Sequence, residues 1–176
     1  MPAIQRRLLT ALPIVEGKLA GILDAELASG RDGLAFRLLG HKVEAIDVSP
    51  AMVAAMREQA GVRVRQMRFE NLAGDHQFDG IWTCASLLHV AAADLPRVIN
   101  RLAAQLTQGG ALYLSLKLGA GARFKDRRRF ADMTECRLIS LLDGCGTFDQ
   151  RDVRQSQDCR PERASEMWVN AVVTKK

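Results

Sequence analysis

Two aspartates, Asp24 and Asp47, stand 23 residues apart, and each ends a short apolar run, ILD and AID. That is near the spacing of about 20 residues at which an acid ending a second strand meets a ribose in dinucleotide-type βαβ units. Histidine titrates near neutrality, so His89, in SLLHV, is a candidate base or acceptor-orienting group, and equally a hydrogen-bonded structural histidine. Arg123, Lys125, Arg127, Arg128 and Arg129, with Phe124 and Phe130 interleaved, form a basic cluster. Guanidinium forks suit carboxylate or phosphate; the alternative is a solvated loop.

The elements that must position these groups alternate between strand and helix. A short helix over about Ile4 to Leu12 is broken by Pro13, and a first strand follows at about Lys18 to Asp24. Ser29 with Asp32 makes a capping box for a helix whose apolar face is Leu34, Ala35, Leu38 and Leu39, and Gly40 stops it. Lys42 to Asp47 is a second strand. Ser49 and Pro50 start a helix that runs from Ala51 to Gln59, and Val62 to Met67 is a third strand. Gln77 to Thr83 is a fourth. Asp94 to Leu106 is a helix with Leu95, Val98, Leu102 and Leu106 on one face, ended by Gly109 and Gly110.

Ala111 to Leu118 (ALYLSLKL) is apolar enough to lie in the middle of a sheet. Asp132 and Glu135 form a second capping pattern, for a helix through Leu142 that Gly144 ends. The GCG at Gly144 to Gly146 follows a helix and precedes a strand, so it is a helix stop rather than a phosphate- or cofactor-cradling loop. Two strands at about Thr147 to Val153 and Met167 to Thr174 have no helix between them, which predicts an antiparallel hairpin at one edge. The expectation is one α/β domain over residues 1–176.

Composition narrows the class. With 176 residues, 48% hydrophobic and 26% charged, the chain has the makeup of a globular protein with a substantial core. Twenty-five Lys and Arg against 20 Asp and Glu give +5, which suits an anionic substrate and does not demand nucleic acid. Cys84, Cys136, Cys145 and Cys159 include no CxxC pair and no zinc-type His spacing, so no metal is expected and a reducing cytoplasm is the natural compartment. Arg6 and Arg7 before Leu8 to Val15 resemble a leader, but Pro13 interrupts the run; no stretch approaches 18 apolar residues, so no membrane span is expected.

Residues 21 to 174 resemble a class I S-adenosylmethionine-dependent methyltransferase, of the small bacterial kind related to tellurite-resistance methyltransferases. The matching runs are SGRD at Ser29 to Asp32, GHKVEAIDVSPAM at Gly40 to Met52, FDGIWTCASLLHV at Phe78 to Val90, and GGALYLSLKLGAG at Gly109 to Gly121. Arg160, Pro161, Arg163, Trp168 and Asn170 match near the C-terminus. The resemblance implies a Rossmann-like α/β fold with a seven-stranded, mostly parallel sheet whose last strand is antiparallel. It implies S-adenosylmethionine as cofactor, and a cofactor site built from Asp24, Glu26, Ala28, Gly30 and Arg31 around the first turn. Asp47 should hold the ribose, with Val48, Ser49 and Met52 beside the adenosine; Glu70, Asn71 and Leu72 should border the adenine. Cys84, Ala85 and Ser86 should line the methionine end. His89, Lys117, Arg128 and Arg160 are the candidate contacts for an acceptor or partner, and Asp126, Arg128 and Phe130 fit the family's D-x-R-x-F pattern. All these turns follow parallel strands, where an open sheet forms its crevice.

Two departures stand out. The family's first turn reads GxGxG, aligned here with Glu26, Ala28 and Gly30, so only Gly30 survives. Glycine serves there because the backbone takes φ > 0 or approaches the ligand closely, and a β-carbon at a left-handed position costs roughly 1–2 kcal/mol. Glu26 adds a carboxylate that either opposes the cofactor's own carboxylate or attracts its amino group or sulfonium. The N-terminal lid helix common in such enzymes, often with tyrosines, is short or absent, since Tyr113 is the sole tyrosine. The expected activity is methyl transfer to a small, anionic or soft nucleophile; the alternative is a catalytically impaired relative that serves as a binding or partner subunit. Met52 and Met56, at i and i+4, are read as helix core.

Overall fold

The computed structural model describes residues 3–13, 18–26, 30–57, 62–74, 77–125 and 128–176, with side chains for all of these except 3, 4, 122–125, 128, 129 and 150. Helix α1 (Ala3–Ala11) is followed by β1 (Gly21–Ala25), α2 (Arg31–Leu38), β2 (Lys42–Asp47), α3 (Pro50–Arg57) and β3 (Arg63–Gln66). Then come β4 (Phe78–Thr83), α4 (Leu95–Gln105), β5 (Leu106–Lys117), β6 (Gly121–Lys125), β7 (Arg128–Asp132), α5 (Glu135–Cys145), β8 (Phe148–Gln157) and β9 (Met167–Lys175). Seven strands form one sheet in the order β3-β2-β1-β4-β5-β9-β8. Strands β3 to β5 pair in parallel, while β9 runs against both β5 and β8. The fold is the Rossmann-like α/β arrangement with an antiparallel last strand.

Alternation along each strand fills two cores. On one face Leu23, Ile81, Leu112, Leu114 and Leu116 meet Leu95, Ile99 and Leu102 of α4 and Leu138 of α5. On the other, Ile22, Trp82 and Tyr113 meet Leu8 of α1, Phe36 of α2 and Met56 of α3. Strand β5 contributes to both faces because it is central, and truncating a fully buried Leu114 to alanine would cost about 2–5 kcal/mol through lost contacts and an unfilled cavity.

Several local expectations are corrected. Gly30, at φ 71, is the N-cap of α2, and Asp32 turns its carboxylate inward to Trp82; Ser29, the other member of the expected capping box, lies outside the described residues. That inward anchor sets the rotation of α2. Phe36, four residues on and therefore on the same face, is fully buried edge-on to Trp82, while Leu38 is 89% exposed and Leu39 also faces solvent. Of the two methionines on α3, Met56 is core and Met52 is exposed. Gly109 and Gly110 do not end α4. The helix stops at Gln105, Leu106 already pairs with Phe78, and the next pair is Gly80 with Ala111, so the glycines form an irregularity inside β5, with Gly109 at φ 71.

The cap of α5 is Thr134, whose hydroxyl accepts the Arg137 N–H at 3.3 Å, rather than Asp132, and Gly146 at φ 66 is the stop. The segment from Arg123 to Arg129, expected as a loop, is a hairpin in which Arg123 pairs with Phe130 and Lys125 with Arg128; Asp126 and Arg127 lie outside the described residues. Helix α1 and the residue after it pack Leu8 and Leu12 against the sheet, and the helix ties Gln5 to Asp32 at 2.8 Å and bonds Arg7 to Asp152 at 2.7 Å.

Candidate functional site

The carboxyl ends of the parallel strands open onto a crevice of about 230 Å³. Glu26 lines it after β1, Asp47 and Val48 at the end of β2, Met67 to Glu70 after β3, and His89 to Ala91 with Asp94 after β4. The chain brings these together by continuing the parallel pairing one residue past the strands: Glu26 N–H donates to Ile46 O and Met67 N–H to Asp47 O, each at 2.9 Å. Asp47 is buried and its Oδ1 accepts the Ser49 N–H at 2.7 Å, which fixes the carboxylate in the turn before α3. His89 sits on a short 3-10 turn, Leu87–His89, and meets Phe130 of β7 edge-on at 5.1 Å.

The crevice therefore gathers Glu26, Asp47, Val48, Glu70 and His89 from the residues expected of a site. Met67, Arg68, Phe69 and Asp94 also line it, and the residues directly following the third strand were the signal available for the first three. Asn71 is exposed at the end of the 3-10 turn Phe69–Asn71, and Leu72 is core, its carbonyl accepting from Arg101 at 3.0 Å. Ser49 caps α3, with the Met52 N–H at 3.4 Å from its hydroxyl. Ala28 lies outside the described residues.

Behind the crevice the ends of β1 and β4 carry a second group. Asp24 is 3% exposed, and burial, with Asp32 and then Asp47 adding repulsion, pushes its carboxyl up to about 7 although the Gly33 N–H donates to it. Among the described residues its Oδ2 has no hydrogen-bond partner, and neither has the Oγ of fully buried Ser86. Ala85 holds φ 58 between Cys84 and Ser86, and its N–H donates to Ser115 Oγ at 2.8 Å. The Cys84 thiol is pushed up to about 11 by burial and by Asp32, so it is a protonated thiol, not a nucleophile, at neutral pH. Arg31 is occupied by Asp32, at 2.9 Å. Gly30 faces Met56, which occupies the space a β-carbon there would need.

Lys117 and Arg160 belong to a different cluster. Lys117, at the end of β5, pairs with Asp158 at 3.5 Å and with Glu166, and its ammonium lies 3.8 Å from the Trp168 ring centre. Arg160 holds Asp158 through two nitrogens at 2.8 and 2.6 Å, and Trp168 donates to the same carboxylate at 3.0 Å. Arg128 is placed by its backbone in β7; its side chain lies outside what is described.

An acidic wall, an orphaned buried carboxylate oxygen and a buried hydroxyl together suit a ligand that combines a sugar diol with a cationic group. Among the described residues no His, Cys, Asp and Glu grouping could hold a metal ion, and no helix is long and apolar enough to cross a membrane.

Comparison with known proteins places the fold. Residues 22–110 fit a family model described as a methyltransferase domain. No curated protein matches the sequence. Among solved structures, a 1,6-didemethyltoxoflavin-N1-methyltransferase from Burkholderia thailandensis, with 1,6-didemethyltoxoflavin and S-adenosylhomocysteine bound, aligns at a TM-score of 0.79 and 24% identity, over 99% of this chain and 79% of that one. An S-adenosylmethionine-dependent methyltransferase from Methanosarcina mazei aligns at 0.78 and 18%, over 100% and 98%. The [4+2]-cyclase SpnF aligns at 0.69 and 17%, over 98% and 80%. At these identities the likeness is one of fold.

Proposed function

Because the chain belongs to the methyltransferase-domain family, we propose that it transfers the methyl group of S-adenosylmethionine to a small acceptor that is anionic or a soft nucleophile. The observation that carries this reading is the crevice at the strand ends, with Asp47 fixed in its wall by the Ser49 N–H at 2.7 Å. When bound, the cofactor supplies a methyl group on a sulfonium, and the displacement needs alignment more than it needs a strong base. Asp47 accepts the ribose hydroxyls. Phe69 and Val48 would cover the base, and Asp24, whose buried Oδ2 has no hydrogen-bond partner among the described residues, would take the ammonium of the methionine end. His89 orients the acceptor at the mouth. Anionic acceptors are favoured because β7, from a hairpin rich in arginine, packs against the turn that carries His89. The four free cysteines support a reducing, cytoplasmic setting.

Isothermal titration of the purified protein with S-adenosylmethionine and S-adenosylhomocysteine tests the reading. Saturable binding of one molecule per chain is the expected result, and absence of heat with either ligand across a concentration range up to millimolar overturns it. A second reading, a relative that binds cofactor without turnover, is favoured by Glu26, a non-glycine residue at φ 82 where the resemblance implies glycine. It would be selected by tight binding with no methyl transfer to any of a panel of carboxylate, phenolate and thiol acceptors.

A further inference from the structure

Glu26 combines two features rarely found together. It is a non-glycine residue in the left-handed region, at φ 82, and it faces the ligand crevice. Such a conformation costs a β-carbon-bearing residue stability and persists where the surroundings enforce it, which is common at ligand sites. The enforcement is visible: β1 and β2 pair through Ala25 and Ile46, and the Glu26 N–H is locked to Ile46 O at 2.9 Å. The backbone already holds the shape a glycine would give, so the cost falls on folding, and what Glu26 brings to the ligand is its charge.

That charge joins others of the same sign. Glu26, Asp47 and Glu70 line the crevice, where Arg68 is the cation; Asp94 is shared with Arg97 at 3.3 Å. Asp24, near the end of β1, is almost wholly buried, and its Oδ2 has no hydrogen-bond partner among the described residues. The order across the strand ends is also informative. Phe69 and Glu70 follow β3, Asp47 ends β2, and Glu26 follows β1, with neighbouring strands about 4.8 Å apart. A nucleoside whose ribose is held by Asp47 and whose base lies toward Phe69 directs its 5′ substituent toward β1, where Glu26 stands.

Resting on the proposed function, we infer that Glu26 is a charge-selecting residue: its carboxylate makes the crevice prefer the cationic donor, S-adenosylmethionine, over the neutral product, S-adenosylhomocysteine. The two ligands share a shape and differ by one methyl and one positive charge. Opposite charges a few ångströms apart in a half-exposed site attract measurably, and salt weakens the attraction. A crevice of this kind lets the product leave against an excess of donor.

The test uses three forms of the full chain, each titrated calorimetrically with both ligands at low and high salt. The natural protein is expected to bind S-adenosylmethionine about 3- to 10-fold more tightly than S-adenosylhomocysteine, with the ratio shrinking in high salt. Glu26→Gln keeps a side chain at φ 82 and removes the charge; Glu26→Gly removes both. Both variants should bring the ratio toward one and weaken its salt dependence, while only Glu26→Gly should raise the melting temperature. An unchanged ratio in folded Glu26→Gln overturns the inference and leaves the methyltransferase reading standing. Failure of the natural protein to bind either ligand overturns both.

Discussion

Asp32 accepts the indole N–H of Trp82 at 3.1 Å, so a side-chain bond ties β4, in the middle of the sheet, to the first turn of α2. The same carboxylate takes Gln5 of α1 at 2.8 Å and Arg31 at 2.9 Å. Three elements distant in sequence thus converge on one residue. Replacing Asp32 with alanine leaves the Trp82 and Gln5 donors unmatched, and should lower unfolding stability by about 2–4 kcal/mol, with Asp32→Asn costing less. Urea denaturation of the two variants checks this.

Asp24 gives a pH signature. Its folded-state carboxyl is raised from 3.8 to about 7, chiefly by burial. A raised acid binds its proton more tightly in the folded chain, so stability is fully present below about pH 4, falls as pH rises to about 7, and is level beyond. The loss amounts to about 4 kcal/mol. Asp24→Asn should flatten this slope in denaturation curves between pH 4 and 7. A cation seated on Asp24 would draw the proton off, so titrations with S-adenosylmethionine at pH 6 should show proton release in buffers of different ionisation heat. Asp24→Asn should abolish that release.

Asp47→Ala should weaken binding of S-adenosylmethionine by about 1–3 kcal/mol, since two sugar hydroxyls lose their acceptor. Adenosine should lose a similar amount, because it presents the same diol. Calorimetry with both ligands measures it, and equal affinity in the natural and variant chains would remove Asp47 from the site.

Lys117 sits between two acids, Asp158 and Glu166, and over Trp168. Removing it with Lys117→Ala should cost about 3–5 kcal/mol, because Asp158 is buried and loses part of its compensation. The Asp158 carboxyl is held well below the usual range, first by its hydrogen bonds from Arg160, and Glu166 is lowered by Lys117. For these acids the sign is opposite to that of Asp24: their stabilisation is present above the ordinary carboxylate pKa and lost as the solution is acidified below it. Thermal melts from pH 5 down to pH 2 should show the loss, reduced in Lys117→Ala.

How much could be read in the sequence depended on how local the cause was. Pro50 after Ser49 starts α3 as expected, because the cap and the ring act within one turn. The apolar run of β5 and the hairpin of β8 and β9 were legible from composition and from the lack of an intervening helix. The position of Asp47 in the crevice wall was legible because strand ends are where such crevices open. The rotation of α2 was not, since it is set by Trp82, 50 residues away. Gly109 and Gly110 signal a break of some kind, and only the pairing of β5 with β4 decides that it lies within a strand. The β6 and β7 hairpin was hidden by its arginines, which lack the apolar alternation of a half-buried strand. The partners of Lys117 and Arg160 come from the loop between β8 and β9 and its flanks, and no spacing rule links them to β5.

The place of β9 between β5 and β8 has a further bearing on biogenesis. Strand β5 finds its β4 neighbour early, but its other side, from Ala111 to Lys117, is met only by the residues from Trp168 to Thr174. A ribosome that has released everything up to Gln157 has therefore made a molecule with a long, apolar and unpaired strand border. Such a border is a template for another chain until it is covered. Translation arrest or proteolytic loss of the last ten residues should yield material that requires a chaperone to stay dispersed, even though the ligand crevice, at the ends of the other strands, has been completely synthesised by then.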